Sequence, residues 1–277
     1  MTKPATNAVV EETLPSVATT QAMATYQGPI ETGLEAMDAG DMIIPRLTLV
    51  QPTTEGVTPD TEGKLCIDLT GDYFDTMDMV LFVFRKTRCK MPDDFDRKSK
   101  PQCKSDDFIS PSPDIEVPLC NTCTLKPLEP GQKKKDQKHY CEYANFTAVN
   151  GVSKAPKCKE NWDMLLVDAE TYMPMFWTVK SKALSPVRRM VSALNMLCTA
   201  KHIPAWAMKF TVTVKQDPDT SKGRFFVPVL SSPVLLGPED AANMTEIQKT
   251  LKGVAVQTDY SIDPSDAPPP EQEVEEF

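Results

Sequence analysis

The chain has 277 residues, 40% hydrophobic and 25% charged, a composition ordinary for a globular protein. It has no apolar run near the roughly 18 to 20 residues that a membrane helix needs. Its first thirty residues, with Lys3 as the only base, lack a signal peptide's charged start and apolar centre, so a soluble intracellular protein is expected. The formal charge of −9 argues against polyanionic partners only as an average, because Asp259, Asp263, Asp266, Glu271, Glu273, Glu275 and Glu276 crowd one end with no Lys or Arg among them, leaving the preceding body nearly neutral.

Residues 1–38 have neither helical nor strand period and read as a mobile arm. From 39 to 236 the pattern is that of a folded domain. Met42 to Gln51, around Pro45, and Leu65 to Ile67, before the turn residues Gly71 and Asp72, read as strands. Met77 to Arg88 is the clearest strand, with an apolar stretch from Val80 to Phe84 and three bases, Arg85, Lys86 and Arg88, at its end. Residues 89–160 then turn to Lys, Asp, Pro and Cys, with too few aliphatic residues between Met91 and Tyr140 to build a core. Strand pattern returns at Tyr143 to Val149, Trp162 to Asp168 and Met173 to Lys180, with Asn150-Gly151 as a turn signal. Ser185-Pro186 predicts a helix start, Ser as N-cap and Pro at the first position, and Val187, Met190, Val191, Leu194, Leu197 and Cys198 share one face up to Lys201. Ala205 to Lys215 and Arg224 to Leu230 read as a hairpin, and Glu239 to Leu251 as a second short helix opening the final segment, 237–277. Short strands with one well-formed helix between them fit a mainly β domain, an OB-like Greek-key barrel with a Cys-rich loop insertion; periodicity leaves a β-sandwich open.

The eight cysteines, in a chain without a secretory signal, are expected to be thiols. Cys103, Cys120, Cys123 and Cys141 fall in the core-poor insertion, with Cys120 and Cys123 as a close pair from one turn. Four thiolates around a tetrahedral Zn²⁺ have this pattern, and a structural zinc would replace the missing core. Cys89, Cys158 and His139 are possible substitutes within that set, whereas Cys66 and Cys198 lie on apolar faces and read as core. A redox role for Cys120 and Cys123 is disfavoured, since no helix N-terminus follows to depress a thiolate pKa. At the C-terminus, Glu273, Glu275, Glu276 and Phe277 combine charge with a terminal ring and carboxylate. They read either as a solubilising tail or as a peptide for a basic-rimmed pocket on a partner.

These features together resemble the single-stranded-DNA-binding proteins of tailed bacteriophages. Cys103 to Asp107, Cys120-Asn-Thr-Cys123 and Cys141 resemble the Cys-rich insertion of phage replication-region proteins, and Ile44-Pro-Arg-Leu47 resembles their first strand. The chain lacks the Gly-rich linker of the bacterial housekeeping protein and offers four Cys where another phage type has three and a His. The resemblance implies an OB-like fold, binding of single-stranded DNA in replication or recombination, a bacterial cytoplasm during infection, and replication or recombination proteins as partners of the acidic tip.

Single strands are held by a cationic groove with aromatic platforms for the bases. Candidate phosphate contacts are Arg85, Lys86, Arg88, Lys180, Lys182, Lys209, Lys215, Lys222 and Arg224. Candidate platforms are Tyr73, Trp177, Trp206, Phe210 and Phe225, each of which serves equally as core. Arg188, Arg189 and the run Lys133-Lys134-Lys135 read as well as solvated surface. An enzyme is not expected, because the chain lacks a Gly-rich phosphate loop, GxSxG and HExxH and has only two His, although Glu160, Asp163 and Asp168 offer the acids of a nuclease site. A zinc-containing regulator or adaptor binding duplex DNA or protein is the alternative, weakened by the absence of a basic recognition helix after the Cys pair.

Overall fold

The computed structural model describes residues 43–252 apart from 55, 94–98, 116–117, 135–136, 150 and 219–223. The arm at 1–38, Lys222 and the tip residues Glu273, Glu275, Glu276 and Phe277 lie outside the described residues. Three short strands come first: β1 (Leu47–Leu49), β2 (Leu65–Ile67) and β3 (Asp72–Phe74) form an antiparallel sheet in that order. Leu65 and Ile67 point inward while Cys66 between them is half-exposed, the period of two that a half-buried strand requires. Gly63, at φ 76°, brings the turn before β2 against Phe226, whose ring would lie 2.7 Å from any Cβ placed there. Only glycine allows both that dihedral and that approach.

β4 (Thr76–Lys90) is the spine of the larger sheet and pairs with β5 (Cys103–Ser105) at its far end. β6 (Thr147–Val149) and β7 (Val152–Lys154) form a separate hairpin. β8 (Cys158–Asp168) and β9 (Pro174–Lys180) complete one side of the spine. After the helix α1 (Leu184–Lys201), β10 (Met208–Gln216), β11 (Phe226–Leu230) and β12 (Val234–Leu235) complete the other, and α2 (Pro238–Leu251) follows. The sheet order is β11-β10-β4-β8-β9, antiparallel throughout, with β12 added to β10. A register shift between Leu81 and Val83 marks a bulge in β4, and a bulge bends a strand and sharpens its twist. The result is mainly β with two helices and a curled half-barrel sheet, compatible with an OB-like fold.

Each face of this sheet has its own core. On one face Met79, Leu81, Met164, Leu166, Met175 and Trp177 pack with Leu65 and Ile67 of the small sheet and with Leu184, Val187, Met190 and Leu194 of α1. On the other, Val80, Leu165, Val167 and Phe176 are covered by Met244 and Leu251 of α2. Because β8 is covered on both faces where it crosses the core, residues 164–167 form a continuous apolar run and not an alternation. Just before that run the fully buried Asp163 accepts hydrogen bonds from the Thr87 and Thr178 hydroxyls at 2.8 and 2.7 Å.

The α1 start differs from the sequence expectation. The helix begins at Leu184, directly after a single 3-10 turn at Ser181–Ala183, so Ala183 occupies the cap position and no side chain caps it. Pro186 then falls in the first turn, where an intrahelical N–H bond is not yet required. His202, at φ 53°, closes the helix before Pro204. The insertion is also better anchored than its composition predicts. β4 runs on to Lys90 and β8 starts at Cys158, so the two strands extend together and β5 joins them. The described elements belong to one compact unit that begins at Ile44. Among the described residues no helix is long and apolar enough to cross a membrane.

Candidate nucleic-acid interface and thiol cluster

The extension of β4 and β8 beyond the core leaves a cleft of about 850 Å³ against the insertion. Its walls are the turn at Gln51–Thr53, the 137–146 loop, the start of β8, the β9–α1 connection and the chain entering β11. Six bases line it, Arg88, Lys138, Lys159, Lys182, Arg188 and Arg224, against one acid, Glu160. Within a body that is nearly neutral once the acidic C-terminal end is set aside, this is a local excess of positive charge. Phe146, 71% exposed, and Phe225 supply rings to the same walls.

Several of these cations are held in place by partners. Lys182 Nζ lies 4.3 Å above the Phe225 ring and 3.7 Å from Asp217. Arg224 pairs with Glu62, and Arg188 with Glu160 at 3.0 Å. Arg88 is almost wholly buried. Its Nη1 donates to the Cys158 carbonyl at 3.2 Å, its Nη2 lies 2.7 Å from His139 Nε2, and its guanidinium sits 4.3 Å over Phe108. Since a guanidinium only donates and a carbonyl only accepts, His139 must be the Nδ1–H tautomer, donating to the Cys123 carbonyl at 2.9 Å. Burial and then the Arg88 charge hold its pKa below the usual value, which keeps it neutral. Asn145 ties the same loop together, accepting from the His139 N–H at 2.7 Å and donating to the carbonyls of His139 and Cys141.

The remaining sequence candidates lie elsewhere. Arg85 faces the buried Asp163 at 3.9 Å. Lys86 sits 4.0 Å from Glu160 and 5.2 Å over the Trp162 ring, close to the cleft's one acid. Lys180 ends β9 opposite Asn161. Lys209 is bound to Asp78 at 2.7 Å, and Lys215 is exposed on β10; neither lines the cleft. Tyr73 is half-exposed on β3. Trp177 and Phe210 are core side chains, and Trp206 packs on the cluster beneath α2. Sequence reasoning missed Phe146, Lys138 and Lys159 as cleft residues. The signal for Phe146 was available: an aromatic in a segment with no core of its own has little to bury against.

The insertion brings thiols together. Cys141 and Cys158 pack as one buried cluster with Ala144 and the half-buried Cys120. Cys158 and Cys120 both hydrogen-bond the Cys141 sulfur, and Cys120 contacts Cys123, to which Ser105 also bonds. The Cys158 contact, aided by Cys120 and the N–H groups of Tyr143 and Ala144, brings the Cys141 pKa down to about 5 against the effect of burial. Burial pushes Cys120 and Cys123 up, and the bond to Cys141, with burial, pushes Cys158 up. Cys103 is buried nearby on β5. Among the described residues no three His, Cys, Asp or Glu side chains are already posed as a metal-binding group, but the donor chemistry of this thiol cluster suits zinc.

Compared with known proteins, the chain matches no protein-family model, no curated protein and no solved structure.

Proposed function

We propose that this protein binds single-stranded DNA with little base preference and is not an enzyme, acting on an OB-type barrel with a zinc-bearing insertion. The observation that supports the reading is the cleft, where six bases and two phenylalanine rings meet against a single acid. Cations along a groove neutralise phosphates, and an exposed ring such as Phe146 gives any base a face to stack on, which makes binding tolerant of sequence. Thiolates of the insertion would hold the zinc, whose binding supplies folding free energy where the insertion has few aliphatic side chains.

By the same reading the protein serves replication or recombination in a bacterial cytoplasm during phage infection, with the acidic tip carrying Glu273, Glu275, Glu276 and Phe277 as the contact for replication proteins. The test is a fluorescence titration with oligo-dT and with duplex DNA of equal length, using the full chain and a version ending before Asp259. Preference for the single strand, weakening steeply with salt, is the expected result. Preference for duplex would favour the regulator reading, and indifference to both would refute the proposal.

A further inference from the structure

Rings left in water are scarce in this protein. Among the described residues four aromatic side chains are exposed, Tyr73, Tyr140, Tyr143 and Phe146, and the last three stand close together in the insertion. Single exposed apolar residues are ordinary on a surface, but several together mark a contact site. One turn displays all three. The 3-10 helix Glu142–Ala144 is fastened from inside, since Cys141 and Ala144 are buried and Asn145 closes the loop onto the carbonyls of His139 and Cys141. Tyr140, Tyr143 and Phe146 stay on its outside, with Glu142 as the acid beside them.

Both ends of this row meet the cleft. Phe146 lines its wall directly. At the other end His139 bridges Leu125, the Lys126 N–H donates to the Lys138 carbonyl at 2.7 Å and the Tyr140 N–H to the Thr124 carbonyl at 3.0 Å, which holds residues 138–140 as one side of an antiparallel ribbon. Alternate side chains of an extended segment share a face. Lys138 and Tyr140 are accordingly exposed, while His139 between them turns inward to Arg88. Lys138 lines the cleft, and Tyr140 stands next to it on the same face of the ribbon.

Cations accompany the rings. Lys126 Nζ lies 5.9 Å over the Tyr140 ring and Lys90 Nζ 5.3 Å over the Tyr143 ring. A ring beside a cation is what a stacked base and its phosphate require, and a ring already held by a cation loses less rotamer freedom when a base arrives. The centre of a protein–protein contact is depleted in lysine, so a row interleaved with lysines suits a polyanion better than a protein. We infer that Tyr140 and Tyr143 continue the strand path out of the cleft, so that a single strand passing Phe146 stacks its next bases on the insertion. This rests on the single-strand reading and deepens it: the insertion itself is a nucleotide-binding surface, and it lengthens the site.

The test is the dependence of affinity on strand length. Oligo-dT of about 4 and about 16 nucleotides, the limits of one barrel's site, is titrated by fluorescence anisotropy in dilute buffer into the full chain and into its Tyr140→Ala, Tyr143→Ala double variant. The variant should lose at least about 25-fold for the long strand, about fivefold for each stacked base, and less than about twofold for the short one, which the cleft holds alone. Should alanine unfold the insertion, Tyr140→Leu with Tyr143→Leu keeps apolar bulk and should show the same split at a wild-type melting temperature. Tyr140→Phe with Tyr143→Phe keeps both rings and should bind both lengths as the wild type does. Unchanged affinity for the long strand in the Ala and Leu variants would overturn the inference, leave the cleft reading standing and turn the row over to a protein partner. Equal loss at both lengths would overturn it too, because the rings would then belong to the cleft and not to its continuation. Wild-type protein that binds neither length would overturn the inference and the single-strand reading together.

Discussion

Replacing Lys182 and Arg224 together by Ala tests whether the cleft holds phosphates. Both side chains line it, one 4.3 Å above Phe225 and paired with Asp217, the other paired with Glu62, and both are exposed. The cations are exposed but the carboxylates of Asp217 and Glu62 are largely buried, so removing the cations costs more than the roughly 1 kcal/mol of an exposed pair, and a melting curve of the double variant accompanies the binding measurement. For single strands each independent phosphate contact adds about 0.7 to the slope of log K against log salt; removing two should flatten it by at most about 1.4 and weaken binding by at most about 25-fold at about 0.1 M salt, the carboxylate partners of both cations lowering each contribution. Fluorescence anisotropy with oligo-dT across a salt series measures both quantities. The comparison is Lys209→Ala with Lys215→Ala, two bases outside the cleft, which should leave the slope unchanged. If the Lys182 and Arg224 pair leaves the slope unaltered, or the Lys209 and Lys215 pair alters it as much, the strand does not run through this cleft.

Phe146→Ala should cost about 1 to 3 kcal/mol of oligo-dT affinity by losing a stacked base. The melting temperature should hold, since the ring is 71% exposed. Trp177→Ala should do the reverse, lowering stability by about 3 to 5 kcal/mol in chemical unfolding with an unchanged salt slope, because this ring is core. Asp107 gives a pH prediction. Burial opposes its ionisation, but the N–H groups of Ser110 and Ile109 and the hydroxyls of Ser110 and Ser105 outweigh that, bringing its pKa to about 2 from 3.8. A carboxylate with a depressed folded-state pKa stabilises fully above the unfolded value and loses that contribution as pH falls from about 4 towards 2. The protection of the Ile109 and Ser110 amides against hydrogen exchange, taken relative to the intrinsic rate at each pH, should therefore fall across that window in the wild type and be low throughout in Asp107→Asn.

Much of the fold was legible because its signals are local. The β4 apolar run, the α1 face and the β10–β11 hairpin all announce themselves by period or by turn residues within a dozen positions. The α1 cap was misplaced because a 3-10 turn supplied by Ser181–Ala183 competes with Ser185, and sequence does not reveal which turn wins. The cleft was hidden for a different reason. Arg88, Lys182 and Arg224 stood among the candidates, but they meet only because β4 and β8 overrun the core together and carry the 137–146 loop against the entrance to β11. Aromatic residues carry no sign of their side. Trp177 and Phe210 proved to be core, while Phe146, in a segment read simply as strand, is exposed.

The partners of the cleft cations set how they can act. Arg88 is committed to Cys158 and His139 inside the wall, so it shapes the cleft more than it receives a phosphate. Lys182, Arg188 and Arg224 each face a carboxylate, of Asp217, Glu160 and Glu62. A phosphate arriving at any of these must displace or share that carboxylate, which lowers the net gain of the contact but holds the long side chain extended beforehand and reduces the rotamer entropy lost on binding. The consequence is measurable. Because displaced pairs do not release a full condensed-ion equivalent each, the salt slope for wild-type protein should fall short of about 4.2, the value that six independent phosphate contacts would give. Glu62→Gln, which frees Arg224, should then steepen the slope and tighten binding, whereas a cleft that does not meet phosphate would be indifferent to it.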